Sequence, residues 1–254
     1  MGGARTRLAA HYRTIYERAS GVLARAFERY SVDGKLTMEA MQKYGRYARM
    51  LVDANRAIAG GIADSANLLA RIPQNEYMAG FAYNAWRVDR AVGAGLVWRI
   101  PNTDAIAEMA ANPLDKISRR RLRQISRERI RQALTSALMR GVGIREATAS
   151  LRAASQVSYN DALRIARTEL NRAWNAGSVQ AYDQAEAEGL DVKRILVATL
   201  DDRTRDQSAS MDGQIADDEG YFTYPDGSRT REPGSTGNPA YDINDRETVI
   251  VEMT

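Results

Sequence analysis

Near residue 190 the sequence changes from helical periodicity to short β-rich runs separated by turns, and its charge changes sign at almost the same place. Residues 201–254 hold 5 Arg and Lys against 13 Asp and Glu, net −8, whereas residues 1–200 hold 31 against 19, net +12. A chain built this way is α+β: a mostly helical N-terminal three quarters followed by a small strand-rich C-terminal part. Its 254 residues suffice for a hydrophobic core. We expect a helical region over 1–112 and a second domain over 113–254, with helices to 188 and strands in 190–254.

The helical part reads element by element. Leu8, Tyr12, Ile15, Ala19, Val22 and Ala26 recur at helical spacing until Ser31-Val32-Asp33-Gly34 interrupts them. Thr37 reads as an N-cap for a second helix carrying Met41, Tyr44, Ala48, Leu51 and Val52, which Gly60-Gly61 should end. Tyr77, Phe81, Tyr83, Trp86 and Trp98 read as core and helix-contact residues. A short helix is expected over 104–111, a basic one from Pro113 to Arg140, another over 144–153, and a long one from Ser158 to Ala187 with Gly189 as its stop. Beyond it, 194–200, 221–224, 228–231 and 248–253 read as strands, with Pro225-Asp226-Gly227 as a hairpin turn and 232–238 as a loop.

Several chemistries are excluded. The chain has no cysteine and one histidine, His11, which reads as a surface residue, so thiolate sites, disulfides and histidine-dependent triads are absent. No glycine-rich phosphate loop is complete. The longest charge-free stretches, 77–86 and 173–182, are too short to span a bilayer. The acids Asp201, Asp202, Asp206, Asp212, Asp217, Asp218 and Glu219 match no cation-loop spacing and read as loop acids pairing with Arg203 and Arg205. No metal, cofactor or catalytic residue is expected.

Three patterns remain. Lys116, Arg119, Arg120, Arg121, Arg123, Arg127, Arg129 and Arg131 crowd one helix, and Lys116, Arg120, Arg123, Arg127 and Arg131 share a stripe. Such a ridge suits phosphate backbone or an acidic protein surface, and the same pattern fits a solvated helix face. Within the long helix, Ala166, Leu170, Ala173, Trp174, Gly177 and Ala181 form a small-residue stripe for close packing. Arg164, Thr168, Asn171, Asn175 and Ser178 form a polar stripe opposite. Asp201-Asp202-Arg203-Thr204-Arg205, with Asp212-Gly213 after it, reads as a hydrogen-bonded cap at a strand end.

Taken in order, the 141–151 helix lead-in, Arg167-Thr168-Glu169 with Asn171 and Gly177, Asp202-Arg203-Thr204-Arg205, Asp212-Gly213-Gln214, Phe222 with Gly227, and Asn244 with Arg246 resemble the phage Mu F-like minor head protein family over about 115–254. Many members carry a histidine shortly after Arg-Thr-Arg and end in Asn-Cys-Arg-Cys; here Ser208, Asp245 and Glu247 hold those positions. The resemblance implies a minor capsid protein of a tailed bacteriophage, acting near the portal in head assembly, DNA packaging or DNA delivery. Its implied partners are portal protein, major capsid protein and the phosphates of double-stranded DNA. Its implied place is the virion, and the host cytoplasm during assembly. A transient DNA-binding packaging factor and a carboxylate nuclease are the alternatives. A toxin-like ADP-ribosyltransferase domain, which some relatives carry, is not expected after the resembling region.

Overall fold

A computed structural model describes residues 2–93, 95–101 and 113–253, the side chains of 113–119 excepted. The helix expected over 104–111 lies outside the described residues. The described chain consists of α1 (Gly2–Tyr30), α2 (Met38–Gln42), α3 (Arg46–Val92), α4 (Pro113–Arg140), α5 (Ile144–Ala187), β1 (Val192–Ala198), α6 (Asp206–Met211), β2 (Phe222–Thr223), β3 (Arg229–Thr230), α7 (Pro239–Asp242) and β4 (Glu247–Met253). Long helices followed by short strands are the expected α+β class.

The chain divides into two compact units, residues 1–69 with 116–163 and residues 70–115 with 164–254. The first is helical. Leu8, Tyr12, Ile15, Ala19, Val22 and Ala26 are all buried along α1, and Thr37 caps α2 by accepting from the Ala40 amide at 3.2 Å. That second helix is shorter than the sequence suggests. Tyr44 and Gly45 adopt φ of +55° and +65°, and the helix restarts at Arg46 in a new register. Met50, Ala54 and Ile58 therefore take the core positions, leaving Tyr44 and Val52 exposed.

Two other helix boundaries also differ. Gly60-Gly61 lie inside α3, because α1 approaches there: a Cβ on Gly61 would sit 2.7 Å from Ile15 Cγ1. Ser158 opens no helix; it is buried inside α5 and donates to the Ala154 carbonyl at 3.1 Å, so its hydroxyl serves the helix interior. His11 is half-buried.

In the second unit the small-residue stripe of α5 crosses α3 at contact distance. A Cβ at Gly177 would lie 2.0 Å from the Tyr77 carbonyl oxygen, and one at Gly80 would lie 2.3 Å from that of Trp174. Tyr77 and Phe81 are buried beside Ala173 and Ala181; Tyr83 and Trp86 are exposed rather than core, although the Tyr83 ring meets that of Trp174 on α5 with centroids 5.6 Å apart, as a helix-contact residue should. Gly189, at φ +88°, ends α5 as expected, with Leu190 N donating to the Ala185 carbonyl at 3.1 Å.

Beyond it, β1 pairs antiparallel with β4, with Leu196 opposite Val249, and β2 pairs with β3 across Pro225-Asp226-Gly227. Leu196, Val249, Phe222, Tyr224, Met211 and Tyr241 pack on Val88, Val179 and Tyr182 of the helices. The loop over 232–238 is tied down rather than loose, Thr236 and Gly237 donating to the buried Asp242 carboxylate at 2.7–2.9 Å.

Gly177→Ala should lower the stability of this unit by at least about 2 kcal/mol through overpacking against backbone. Gly60→Ala, which meets only the mobile end of Arg18, should be neutral or gain up to about 1 kcal/mol from helix propensity. Denaturant unfolding of the two variants measures both.

Candidate functional site

The basic helix α4 belongs to the first unit. Leu122, Ser126, Ile130, Leu134, Ala137 and Leu138 are buried on one face, which turns the arginines outward. Arg120, Arg123, Arg127 and Arg131 line one cleft of about 400 Å³ with Gln124, Glu128 and Asn55 of α3. Arg120, Arg123 and Arg127 are exposed and form no ion pair among the described residues. Two other arginines are engaged within the chain. Arg131 is forked on Glu128 at 2.9 and 2.5 Å, and Arg129 reaches Asp161 of α5 at 2.6 Å. Arg121 is exposed outside the cleft, and the side chains of Lys116 and Arg119 are not among those described.

The motif residues of the second unit form a hydrogen-bonded assembly around the two-stranded sheet. Such a sheet has two open edges, and both are closed. On the β1 side, Gly213 N donates to the Leu196 carbonyl at 2.8 Å, Leu196 N to that of Gln214 at 2.9 Å, and Ala198 N to the Asp212 carboxylate at 2.8 Å. On the β4 side the polar stripe of α5 does this work. Asn175, fully buried, donates to the carbonyls of Glu247 at 2.9 Å and Pro233 at 3.2 Å, while its oxygen accepts from the Thr248 hydroxyl and the Val249 amide. Asn171 donates to the Glu247 carbonyl at 3.0 Å, and Thr168 accepts from Asn244 N at 3.0 Å. A carboxamide carries one donor group and one acceptor, as a peptide unit does, so these side chains stand in for a neighbouring strand.

The Arg-Thr-Arg string forms the expected strand-end cap. Thr204 donates to the Thr199 carbonyl at 2.6 Å, and Asp201 N donates to the Thr204 hydroxyl at 2.7 Å. Arg246 grips the Asp201 carboxylate with two bonds of 2.7 Å. The Arg246 bonds, with those from Arg203, hold the Asp201 carboxyl well below the usual carboxylate range. Sequence reasoning singled out Asp202 among the motif residues; it is exposed, and the carboxylate that closes the cap is its neighbour. Arg205 donates to the carbonyls of Ala240, Tyr241 and Ile243, at the end of α7, where helix carbonyls lack intrahelical partners. Glu169 and Arg172 form a buried ion pair at 2.6 Å, and Arg167 is exposed.

The structure brings together the three positions where the chain departs from the family pattern. Asp245 and Glu247 are buried, Ser208 hydrogen-bonds Glu247, and Tyr224 donates to Glu247 at 2.6 Å. Burial, with the Glu247 charge beside it, pushes the Asp245 carboxyl up to about 8, and burial raises Glu247 as well. Burial and the Glu247 carboxylate also drive the Tyr224 hydroxyl upward, so it remains a donor. Arg205 stands 3.8 Å from Asp245. Among the described residues no three His, Cys, Asp or Glu side chains gather as a cation site. Of the loop acids, Asp201 pairs with Arg203 and Asp217 with Arg229.

The helical scaffold closes a small sheet with its own polar face and carries an Arg-Thr-Arg cap, and the comparisons say which proteins share these features. Residues 128–244 match the model of the family described as Phage Mu protein F like protein. Over 233 residues the chain is 24% identical to minor head protein GP7 of Bacillus phage SPP1, covering 90% of this chain and 75% of that one. It is also 27% identical over 173 residues to NAD(+)-arginine ADP-ribosyltransferase EFV of Enterococcus faecalis, covering 66% of this chain and 35% of the enzyme. No solved structure matches it. The Mu F-like resemblance is thus borne out over 128–244, and over most of its length the chain is similar to a phage minor head protein. Among the described residues no helix is long and apolar enough to cross a membrane.

Asn175→Ala should destabilise the second unit by about 2–4 kcal/mol, since it strands several buried strand-edge groups. Exposed Arg167→Ala should stay within about 0.5 kcal/mol; thermal unfolding compares them. The raised Asp245 carboxyl favours the folded state in its protonated form. That stability is complete below about pH 4 and is lost as pH rises through about 8. The melting temperature should fall from pH 5 to 9, and Asp245→Asn should flatten this slope.

Proposed function

We propose that this protein acts near the portal vertex as a structural, non-catalytic component, with the outward face of α4 laid against the phosphates of double-stranded DNA during packaging or delivery. The observation that supports this is the row Arg120, Arg123 and Arg127: exposed, on one face, and free of carboxylate partners among the described residues. At 1.5 Å rise per residue the row extends about 10 Å along the helix. Phosphates follow one another by about 3.4 Å along each DNA strand, so the row can engage roughly three of them. No aromatic side chain lines this cleft, which favours duplex backbone over unstacked bases.

Portal protein and major capsid protein are the protein partners that fit this role, and assembly would place the chain in the host cytoplasm before it enters the virion. The acidic motif unit, in which Asp183, Asp201 and Asp217 are held by the unit's own arginines, suits protein contact rather than DNA. The enzyme match covers 35% of that enzyme's length, and of the loop acids that a carboxylate nuclease would use, Asp201, Asp217 and Glu219 are held by Arg203, Arg229 and Arg246.

Binding to a random-sequence duplex, followed by fluorescence anisotropy at increasing salt, tests the reading. The logarithm of affinity should fall with the logarithm of salt at a slope of about −2 to −3, with little sequence preference. Arg120→Glu with Arg127→Glu should weaken binding at least tenfold and flatten that slope by about 2. A salt-independent affinity, or one unchanged by the double variant, would remove DNA from the proposal.

A further inference from the structure

The first unit holds a second polar cleft, away from the α4 arginines, whose lining points to a small ligand. It is built from two helix faces with the same spacing: Ala9, Tyr12, Arg13 and Tyr16 on α1, and Arg152, Ser155, Gln156 and Tyr159 on α5. Steps of three, four and seven residues place each set on one face, so two arginines and three tyrosines converge on a space of about 230 Å³. The Tyr12 and Tyr159 rings meet edge to face with centroids 6.0 Å apart, and the Arg152 guanidinium stands 5.3 Å over the Tyr16 ring. Neither Arg13 nor Arg152 has a carboxylate partner among the described residues.

Ser155 supplies the second, independent observation. It is 5% exposed and its hydroxyl has no hydrogen-bond partner. Serines within a helix ordinarily donate to the carbonyl four residues back, as Ser150 does to Glu146 and Ser158 to Ala154, both at 3.1 Å, in this same helix. A buried hydroxyl left without a partner is costly, and this one lies in the wall of an arginine-flanked cleft, where a ligand that parts the side chains above it would supply the acceptor.

We propose that this cleft binds one nucleotide unit, a nucleoside monophosphate either free or at an unstacked position of a single strand. Three demands select that class. Two unpaired guanidinium groups call for an anion with several oxygens, tyrosine rings call for a planar π face, and Ser155 calls for a hydrogen-bond acceptor. At about 230 Å³, below the roughly 300–1,000 Å³ of drug-sized pockets, the cleft has space for no more than one unit, part of which stays outside it. The duplex phosphate ridge contributes none of these residues, and the two readings stand or fall separately.

Calorimetric titration of the full chain with dAMP, with a short single-stranded oligonucleotide and with sodium phosphate tests the assignment. The expected result is saturable binding of dAMP or of the oligonucleotide, at least tenfold tighter than phosphate. The tighter of the two ligands identifies the source of the nucleotide. Arg152→Ala, at an exposed position that leaves the core intact, should weaken binding about tenfold, and Ser155→Ala several-fold. Arg120→Glu with Arg127→Glu should leave it unchanged. Absence of binding by both nucleotides, phosphate binding as tightly as they do, or affinity indifferent to Arg152→Ala and Ser155→Ala would each overturn the proposal.

Discussion

The second unit depends on the hydrogen bonds that Asn175 makes to the outer edge of β4. A two-stranded sheet is marginal on its own, because each strand presents a row of unpaired amide and carbonyl groups to whatever lies beside it. Here α5 supplies the missing neighbour with side chains. Asn175 serves the Glu247 carbonyl and the Val249 amide, Asn171 the Glu247 carbonyl, and Thr168 the Asn244 amide. The opposite edge is closed by residues 212–216. With both edges satisfied, the inner face of the sheet can bury Leu196 and Val249 against Tyr182 and Val179 without exposing a surface prone to strand addition.

Those bonds require α5 to hold its position, and the opposite face of the same helix does that. Gly177 and Gly80 let the backbones of α5 and α3 touch, and Asn84 links the two by donating to Ser178 at 2.8 Å and accepting from Tyr182 at 2.7 Å. One helix thus carries two incompatible surfaces, one too small for any side chain and one too polar for a core. Both follow from where its partners lie. The Asp201–Arg246 cap then fixes the chain where β4 begins, and Arg194, nearly inaccessible, fastens β1 to Asp183 and Glu186 at 2.6 and 2.8 Å.

Much of this was legible in the sequence, and the reason is local. The two stripes of α5, the Thr37 cap, the Gly189 stop and the Pro225-Asp226-Gly227 turn are set by residues within a few positions of one another. What escaped notice is set at a distance. Gly60-Gly61 resembles a break until α1 lies across it, and Ser158 resembles a cap until the helix continues past both its sides. The restart at Arg46 depends on left-handed Tyr44, a residue with no intrinsic preference for that conformation. On α4, the eight basic residues are indistinguishable in sequence. Only the fold sets Asp161 opposite Arg129 and leaves Arg120, Arg123 and Arg127 without a partner among the described residues. Asp201 and Asp202 are likewise adjacent and identical, and the arrival of Arg246 from 45 residues away selects the first.

The structure gives the first unit a helix with outward arginines and the second a set of capped and buried ion pairs, and on these the proposed place between DNA and protein in a phage head rests. Quantitative mass spectrometry of purified particles, with copy number measured against portal and major capsid protein, tests that account most directly. It predicts a copy number close to that of the portal and far below that of the major capsid protein. Absence of the chain from both mature particles and assembly intermediates would contradict it.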